Sequence, residues 1–325
     1  MRRRHFVLSL AFAAASASAQ PTAPATARSS EATIGEAGRE LHGTLLVPAA
    51  ARAEAEPILM LAGSGPTDRD GNSPAGVSAG SYRMLAEALA ERGFTTLRVD
   101  KRGIAGSFAA GLPETEVRVR HFADDARAWA RDLKARTGAR CVWILGHSEG
   151  TLHALLAAQD NPDLCGIVLV STVGRRLGDV IREQIEANPA NAAIAPEALR
   201  ILTELEAGRT VTGEGMNPAL FPLFRPSVQP FMISVLALDP AELVRRFRGP
   251  VLVVAGTTDL QTTVADAERL GAARPGVAVR TIEGMNHVLK IAPAERAANF
   301  ATYANPALPL APGLVDAIAG FVAAH

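Results

Sequence analysis

The five residues Gly146-His147-Ser148-Glu149-Gly150 constrain this chain more than any other feature, because of what flanks them. Residues 141–145 before them read as a short buried strand, and residues 151–159 after them read as a helix. A strand that turns straight into a helix around a serine needs a backbone too tight for side chains at positions 146 and 150. Such a turn exposes the Ser148 hydroxyl at the carboxyl edge of a sheet and sets it at a helix N-terminus. There the free N–H groups and the helix dipole favour a developing negative charge. The pattern therefore points to Ser148 as a nucleophile rather than a surface serine.

The rest of the chain keeps the same rhythm. Residues 41–47, 57–61, 94–99, 166–170, 251–255 and 277–282 are further apolar runs of strand length. Residues 82–92, 114–137, 264–270 and 312–323 carry helical spacing, with Gly93 and Gly138 placed as C-caps. This alternation predicts βαβ units and an α/β fold whose mostly parallel central sheet is flanked by helices and buried on both faces. The rhythm breaks between about 174 and 248. Helix-forming runs at 180–187 and 197–207 stand there, followed by Pro218, Pro222, Pro226 and Pro230, with no strand between them. The expectation is one domain over 31–325 with a helical cap inserted at about 174–248.

The N-terminus reads as a targeting segment. Arg2-Arg3-Arg4-His5, an apolar run over 6–15 and Ala17-Ser18-Ala19 before Gln20 predict a signal peptide over 1–19, with twin-arginine export as one route. Residues 20–30, rich in Pro, Ala, Ser and Thr, are expected to be a flexible leader, and the mature protein to be periplasmic or secreted. The whole chain balances 33 Lys+Arg against 33 Asp+Glu, so losing Arg2, Arg3 and Arg4 leaves it mildly acidic. That charge excludes a nucleic-acid binder relying on a basic surface. Two cysteines exclude a disulfide scaffold, and no Cys/His cluster has zinc spacing. No metal, no cofactor and no stable membrane insertion are expected.

With its serine in a strand-turn-helix setting, the chain resembles the α/β-hydrolase superfamily, whose parts follow the order nucleophile, acid, histidine. Asp259, in Gly256-Thr257-Thr258-Asp259, stands just past the strand at 251–255, where the family places its acid; Asp266, inside a helical run, is the weaker alternative. His287, in Gly284-Met285-Asn286-His287, follows the strand at 277–282. The resemblance thus implies a relay of Ser148, His287 and Asp259. His42, His121 and His153 read as structural, His147 as shaping the site, and Asp239 as a helix N-cap. The resemblance also implies an oxyanion hole made by the Glu149 N–H and a second donor, Ser64 or Gly65, from Gly63-Ser64-Gly65-Pro66. Ala62 stands where the family carries a histidine. Asp68, Arg69 and Asp70 are expected to pin this loop.

Gly63 to Gly71, Asp100 to Ser107 (with Arg102 to Ser107 read as a structural turn), and Leu238-Asp239-Pro240-Ala241-Glu242 make the chain similar to exported bacterial carboxylesterases related to serine aminopeptidase-like hydrolases. The implied activity is hydrolysis of a small-molecule ester with a small-to-medium apolar acyl group through an acyl-enzyme. Peptidase, thioesterase or lactonase chemistry on the same triad is the alternative, as is a non-catalytic binding protein on this scaffold. Large apolar side chains crowd the insertion, and Phe221, Phe224 and Met232 are expected to touch substrate. Cys141 and Cys165 begin neighbouring strands, so a disulfide is expected in an oxidising compartment.

Overall fold

The computed structural model describes residues 26–325 except residue 53, so the expected signal peptide lies outside the described residues. Arg28–Ile34 (β1), Leu41–Val47 (β2), Ile58–Leu61 (β3), Thr96–Val99 (β4), Val142–His147 (β5), Leu164–Val170 (β6), Val251–Gly256 (β7) and Val277–Ile282 (β8) form one sheet. Its order is β1-β2-β4-β3-β5-β6-β7-β8. β2 runs antiparallel to β1 and β4, and every other pairing is parallel.

Helices cover both faces of this sheet. Ser81–Glu91 (α1) begins the set, followed by Val119–Thr137 (α2) and Gly150–Ala158 (α3). Leu177–Ala187 (α4), Ala195–Glu206 (α5), Phe221–Phe224 (α6), Gln229–Leu236 (α7) and Pro240–Arg246 (α8) then lie between β6 and β7. Val264–Ala273 (α9), Arg296–Ala301 (α10) and Leu314–Ala324 (α11) complete it. One layer is built from α2, α3, α8 and α9: Trp129, Leu133, Leu155, Val244 and Leu270 pack there against Leu59, Ile144 and Val253. The other face is covered by α1 and α11, with Leu85, Leu89, Leu314 and Ile318 against Met60, Trp143 and Leu252. Successive strand residues go to opposite layers, which is why β3, β4 and β5 are buried along their whole length.

Three local expectations change. Arg28-Ser29-Ser30, read as leader, pair with Val47, Leu46 and Leu45 at the edge of the sheet. The helix expected from 114 starts at Val119, because Val117 and Arg118 are extended and the Arg118 N–H donates to the His121 ring, closing the first turn. Within the insertion, Ile201, Leu205, Phe224, Met232 and Leu236 of α5, α6 and α7 form an apolar cluster of their own. α8, by contrast, belongs to the sheet's layer through Leu243 and Val244.

Cys141 and Cys165 are joined by a disulfide with Cα atoms 5.2 Å apart across a separation of 24 residues. Closing a loop of that size contributes roughly 3 kcal/mol. The bridge ties together the starts of β5 and β6, the two strands whose far ends frame Ser148.

Candidate active site

Ser148 sits between β5 and α3 with φ of 53°, a left-handed backbone that a non-glycine residue adopts only when its surroundings hold it there. Its N–H donates to the Val170 carbonyl at 3.0 Å, fixing the turn to the end of β6. The flanking glycines are sterically required. A Cβ at Gly146 would stand 2.4 Å from the Gly150 carbonyl oxygen, and one at Gly150 would stand 2.6 Å from that of Leu61.

Two loops at the same sheet edge meet the serine. His287 Nε2 lies 3.0 Å from Ser148 Oγ, and His287 Nδ1 lies 2.9 Å from Asp259 Oδ2 and 3.1 Å from Oδ1. Asp259 follows β7 and His287 follows β8, so neighbouring parallel strands deliver both groups. The Asp259 side chain is only 1% exposed, which makes its hydrogen bonds decisive. It accepts from the Gln261 N–H, the Thr262 N–H and the Thr262 hydroxyl. Burial alone would raise this carboxyl, but the His287 charge and these donors outweigh it and hold its pKa at about 2. An ionised Asp259 accepts a hydrogen bond from Nδ1–H and leaves Nε2 free to accept from the serine hydroxyl.

On the other side of Ser148 lies the Gly63-Ser64-Gly65 loop. A Cβ at Gly63 would come within 3.1 Å of the Ser148 Cβ, so only glycine allows this approach without displacement. The Gly63 N–H donates to the Tyr82 hydroxyl at 3.1 Å, and Tyr82 Oη lies 2.7 Å from His147 Nδ1. His147 Nε2 lies 2.8 Å from the His287 carbonyl oxygen. A carbonyl only accepts, so Nε2 carries the ring proton and Nδ1 accepts from the tyrosine. Burial, joined by the nearby His287 charge, pushes the His147 pKa down to about 3 and keeps the ring neutral. Lys101 Nζ donates to the Gly63 carbonyl and, at 2.7 Å, to that of Gly65, while the Thr67 hydroxyl donates to the Ser64 carbonyl. No acceptor stands within hydrogen-bond reach of the Ser64, Gly65 or Glu149 N–H among the described residues.

These two sides face a cavity of about 260 Å³. Gly63 to Thr67, Ser148 and His287 form its reactive end, and Val77, Val288, Leu289 and Tyr303 supply apolar wall. No Asp, Glu, Lys or Arg lines it among the described residues.

Comparison with known proteins bears on the fold that carries this arrangement. Residues 75–213 match the family described as serine aminopeptidase, S33. Esterase EstD of Thermotoga maritima is 26% identical over 240 residues, which cover 71% of this chain and 54% of the relative. The chain thus spans about half the length of that curated relative. Among solved structures, proline iminopeptidase of Mycobacterium smegmatis superposes with a TM-score of 0.56 at 18% identity, covering 91% of this chain and 98% of that one. Est1E of Butyrivibrio proteoclasticus, solved with ferulic acid bound, gives 0.54 at 17% identity, covering 90% and 96%. The chain has the α/β-hydrolase fold.

Other residues singled out in the sequence take different places. Asp266 closes the capping box of α9 with Thr263 and bonds Arg175, which leaves it no part at Ser148. Asp239 caps α8 through the N–H groups of Ala241 and Glu242. Arg69 bonds Asp100, Asp70 bonds Arg98, and Asp68 accepts from the Asp70 and Asn72 N–H groups, so this stretch is pinned below the loop. Phe221, Phe224 and Met232 do not reach the cavity. Phe224 and Met232 are buried in the insertion's own core, while Phe221 is exposed on its surface. Tyr82 and Tyr303 had no sequence signal, and Lys101 lies in the Asp100 to Ser107 segment, whose resemblance gave it no role at the site.

Proposed function

We propose that this protein is a serine hydrolase of carboxylic esters with a small apolar acyl group. One observation carries the reading: a serine on a left-handed backbone stands 3.0 Å from a histidine fixed by a buried carboxylate, at the end of an uncharged cavity. In the first half-reaction His287 Nε2 takes the hydroxyl proton as Ser148 Oγ bonds to the acyl carbon. The carbonyl oxygen becomes an oxyanion held by the Glu149 N–H and by an N–H of the Ser64–Gly65 segment. Collapse breaks the ester bond, and the departing alkoxide takes the proton back from His287. Water then attacks the acyl carbon as His287 accepts its proton, the bond from that carbon to Ser148 Oγ breaks to release the acid, and His287 returns the proton to Oγ.

Charge separates this reading from an aminopeptidase. A free N-terminal ammonium needs a carboxylate in its subsite, since a desolvated cation left unpaired is costly. The residues lining the cavity supply none among those described. The wall of Val77, Val288 and Leu289 suits an aliphatic acyl chain, and about 260 Å³ suits a short one. The disulfide supports an oxidising compartment for the mature protein.

The test is a panel of p-nitrophenyl esters of increasing acyl length, with aminoacyl anilides and acyl thioesters alongside, using Ser148→Ala as the blank. Short-chain esters should give the highest kcat/KM. Faster cleavage of free-amine anilides than of any ester would overturn the reading.

A further inference from the structure

Within the proposed hydrolase reading, the second oxyanion donor depends on which way one peptide plane faces, and the hydrogen bonds around the loop decide that direction. We propose that Lys101 is the positioning residue of the oxyanion hole and that the Ser64 N–H is the donor it aims. In a trans peptide the C=O and the following N–H point in opposite directions. Lys101 Nζ holds the Gly63 carbonyl, so the Ser64 N–H is turned away from Lys101.

Lys101 reaches this loop from outside the cavity that holds Ser148. Gly63, Ser64 and Gly65 line the cavity that holds Ser148 and His287, and Lys101 does not. Lys101 instead borders a separate void of about 20 Å³ with Leu61, Ala62, Phe122 and His153. Turning away from Lys101 therefore means turning toward the reacting carbon. Apart from the Gly65 N–H, whose peptide plane is set by the Ser64 carbonyl rather than by Lys101, the remaining groups of the loop are committed. The Gly63 N–H goes to Tyr82, the Ser64 carbonyl to Thr67 and the Gly65 carbonyl to Lys101. Pro66 follows without an N–H of its own. A single ammonium with three donors can bridge two carbonyls in this way, whereas an apolar side chain leaves both free to rotate.

The Glu149 carboxylate is close enough for its charge to oppose the effect of burial on Lys101, and in this reading its backbone contributes the other oxyanion N–H. Neither carboxylate nor ammonium enters the Ser148 cavity, so the pair acts through the backbone rather than on substrate.

The experiment compares wild type, Lys101→Met and Lys101→Arg on the best ester, together with inhibition by a trifluoromethyl ketone of matching acyl length. The ketone is attacked by the serine to give a tetrahedral oxyanion and so reports the hole directly. Lys101→Met is expected to lose about 10²-fold in kcat with KM changed less than about threefold, in the range of one lost oxyanion donor. Ketone affinity should fall in parallel with kcat/KM, and Lys101→Arg should recover part of both. Should Lys101→Met not fold, Lys101→Gln, which donates to one carbonyl at a time, carries the same comparison. Unchanged kcat and ketone affinity in a folded Lys101→Met or Lys101→Gln would overturn the proposal, as would a change confined to KM. A wild-type protein that neither cleaves esters nor binds the ketone would instead overturn the hydrolase reading itself.

Discussion

The two sides of Ser148 are built from different materials. On one side His287 and Asp259 bring side chains whose chemistry is fixed by residue type, delivered from the ends of β7 and β8. On the other, Gly63 to Gly65 bring backbone N–H groups, and their direction is set by Tyr82, Thr67 and Lys101. The two sides are joined by His147, which bonds Tyr82 with one ring nitrogen and the His287 carbonyl with the other. A relay can therefore be recognised from its residues, but a hole for an oxyanion is recognised only from the bonds that leave its donors unoccupied.

Substitutions test that contrast by size. Ser148→Ala should lower kcat by ~10⁶ if serine and histidine act as a unit, measured on the best ester. A fall below about tenfold would break the relay side altogether. Asp259→Asn should cost ~10⁴ in kcat, because the amide can donate to His287 Nδ1 and so favours the wrong tautomer. On the backbone side the losses should be smaller. Tyr82→Phe removes both the acceptor of the Gly63 N–H and the donor to His147, and should lower kcat by about tenfold, near 1.4 kcal/mol. An effect as large as that of Asp259→Asn would erase the distinction between the two sides. Outside both, Phe224→Ala should leave kcat/KM within about twofold while costing about 3–5 kcal/mol of stability by denaturant titration, since Phe224 is wholly buried away from the cavity. A large kcat/KM change there would return the insertion to the substrate pocket.

The smallest effect concerns pH. Burial, with the Lys101 charge nearby, pushes the His153 pKa down to about 3, as burial does for His147. In the unfolded chain a histidine titrates near 6.5, so below about pH 6.5 the unfolded state binds more protons than the folded one. Stability should therefore be full above that pH and fall as pH drops toward 3. His153→Leu should flatten the dependence of the urea midpoint over this window by one proton, and an unaltered slope would contradict a neutral buried His153.

The same contrast explains what the sequence made legible. Ser148, Asp259 and His287 stand at strand ends whose apolar runs mark the sheet, so their order and spacing announced them. Ser64 and Gly65 could only be offered as alternatives, because no residue pattern reports the direction of a peptide plane. Phe221, Phe224 and Met232 misled because large apolar side chains in an insertion look alike whether they serve its own core or a ligand. β1 was missed for a related reason: Arg28–Ile34 is a polar edge strand in which only Ala32 is buried, so no apolar alternation marks it.

The central claim is that Ser148 is the nucleophile of an acyl-transfer site, and active-site labelling tests it most directly. The protein is treated with a fluorophosphonate and digested, and the modified residue is located by tandem mass spectrometry. A single stoichiometric adduct on Ser148, lost in His287→Ala and accompanied by complete loss of ester cleavage, is the predicted result. An unlabelled Ser148 in protein that still hydrolyses esters, or an inactivating adduct on another residue, would contradict it.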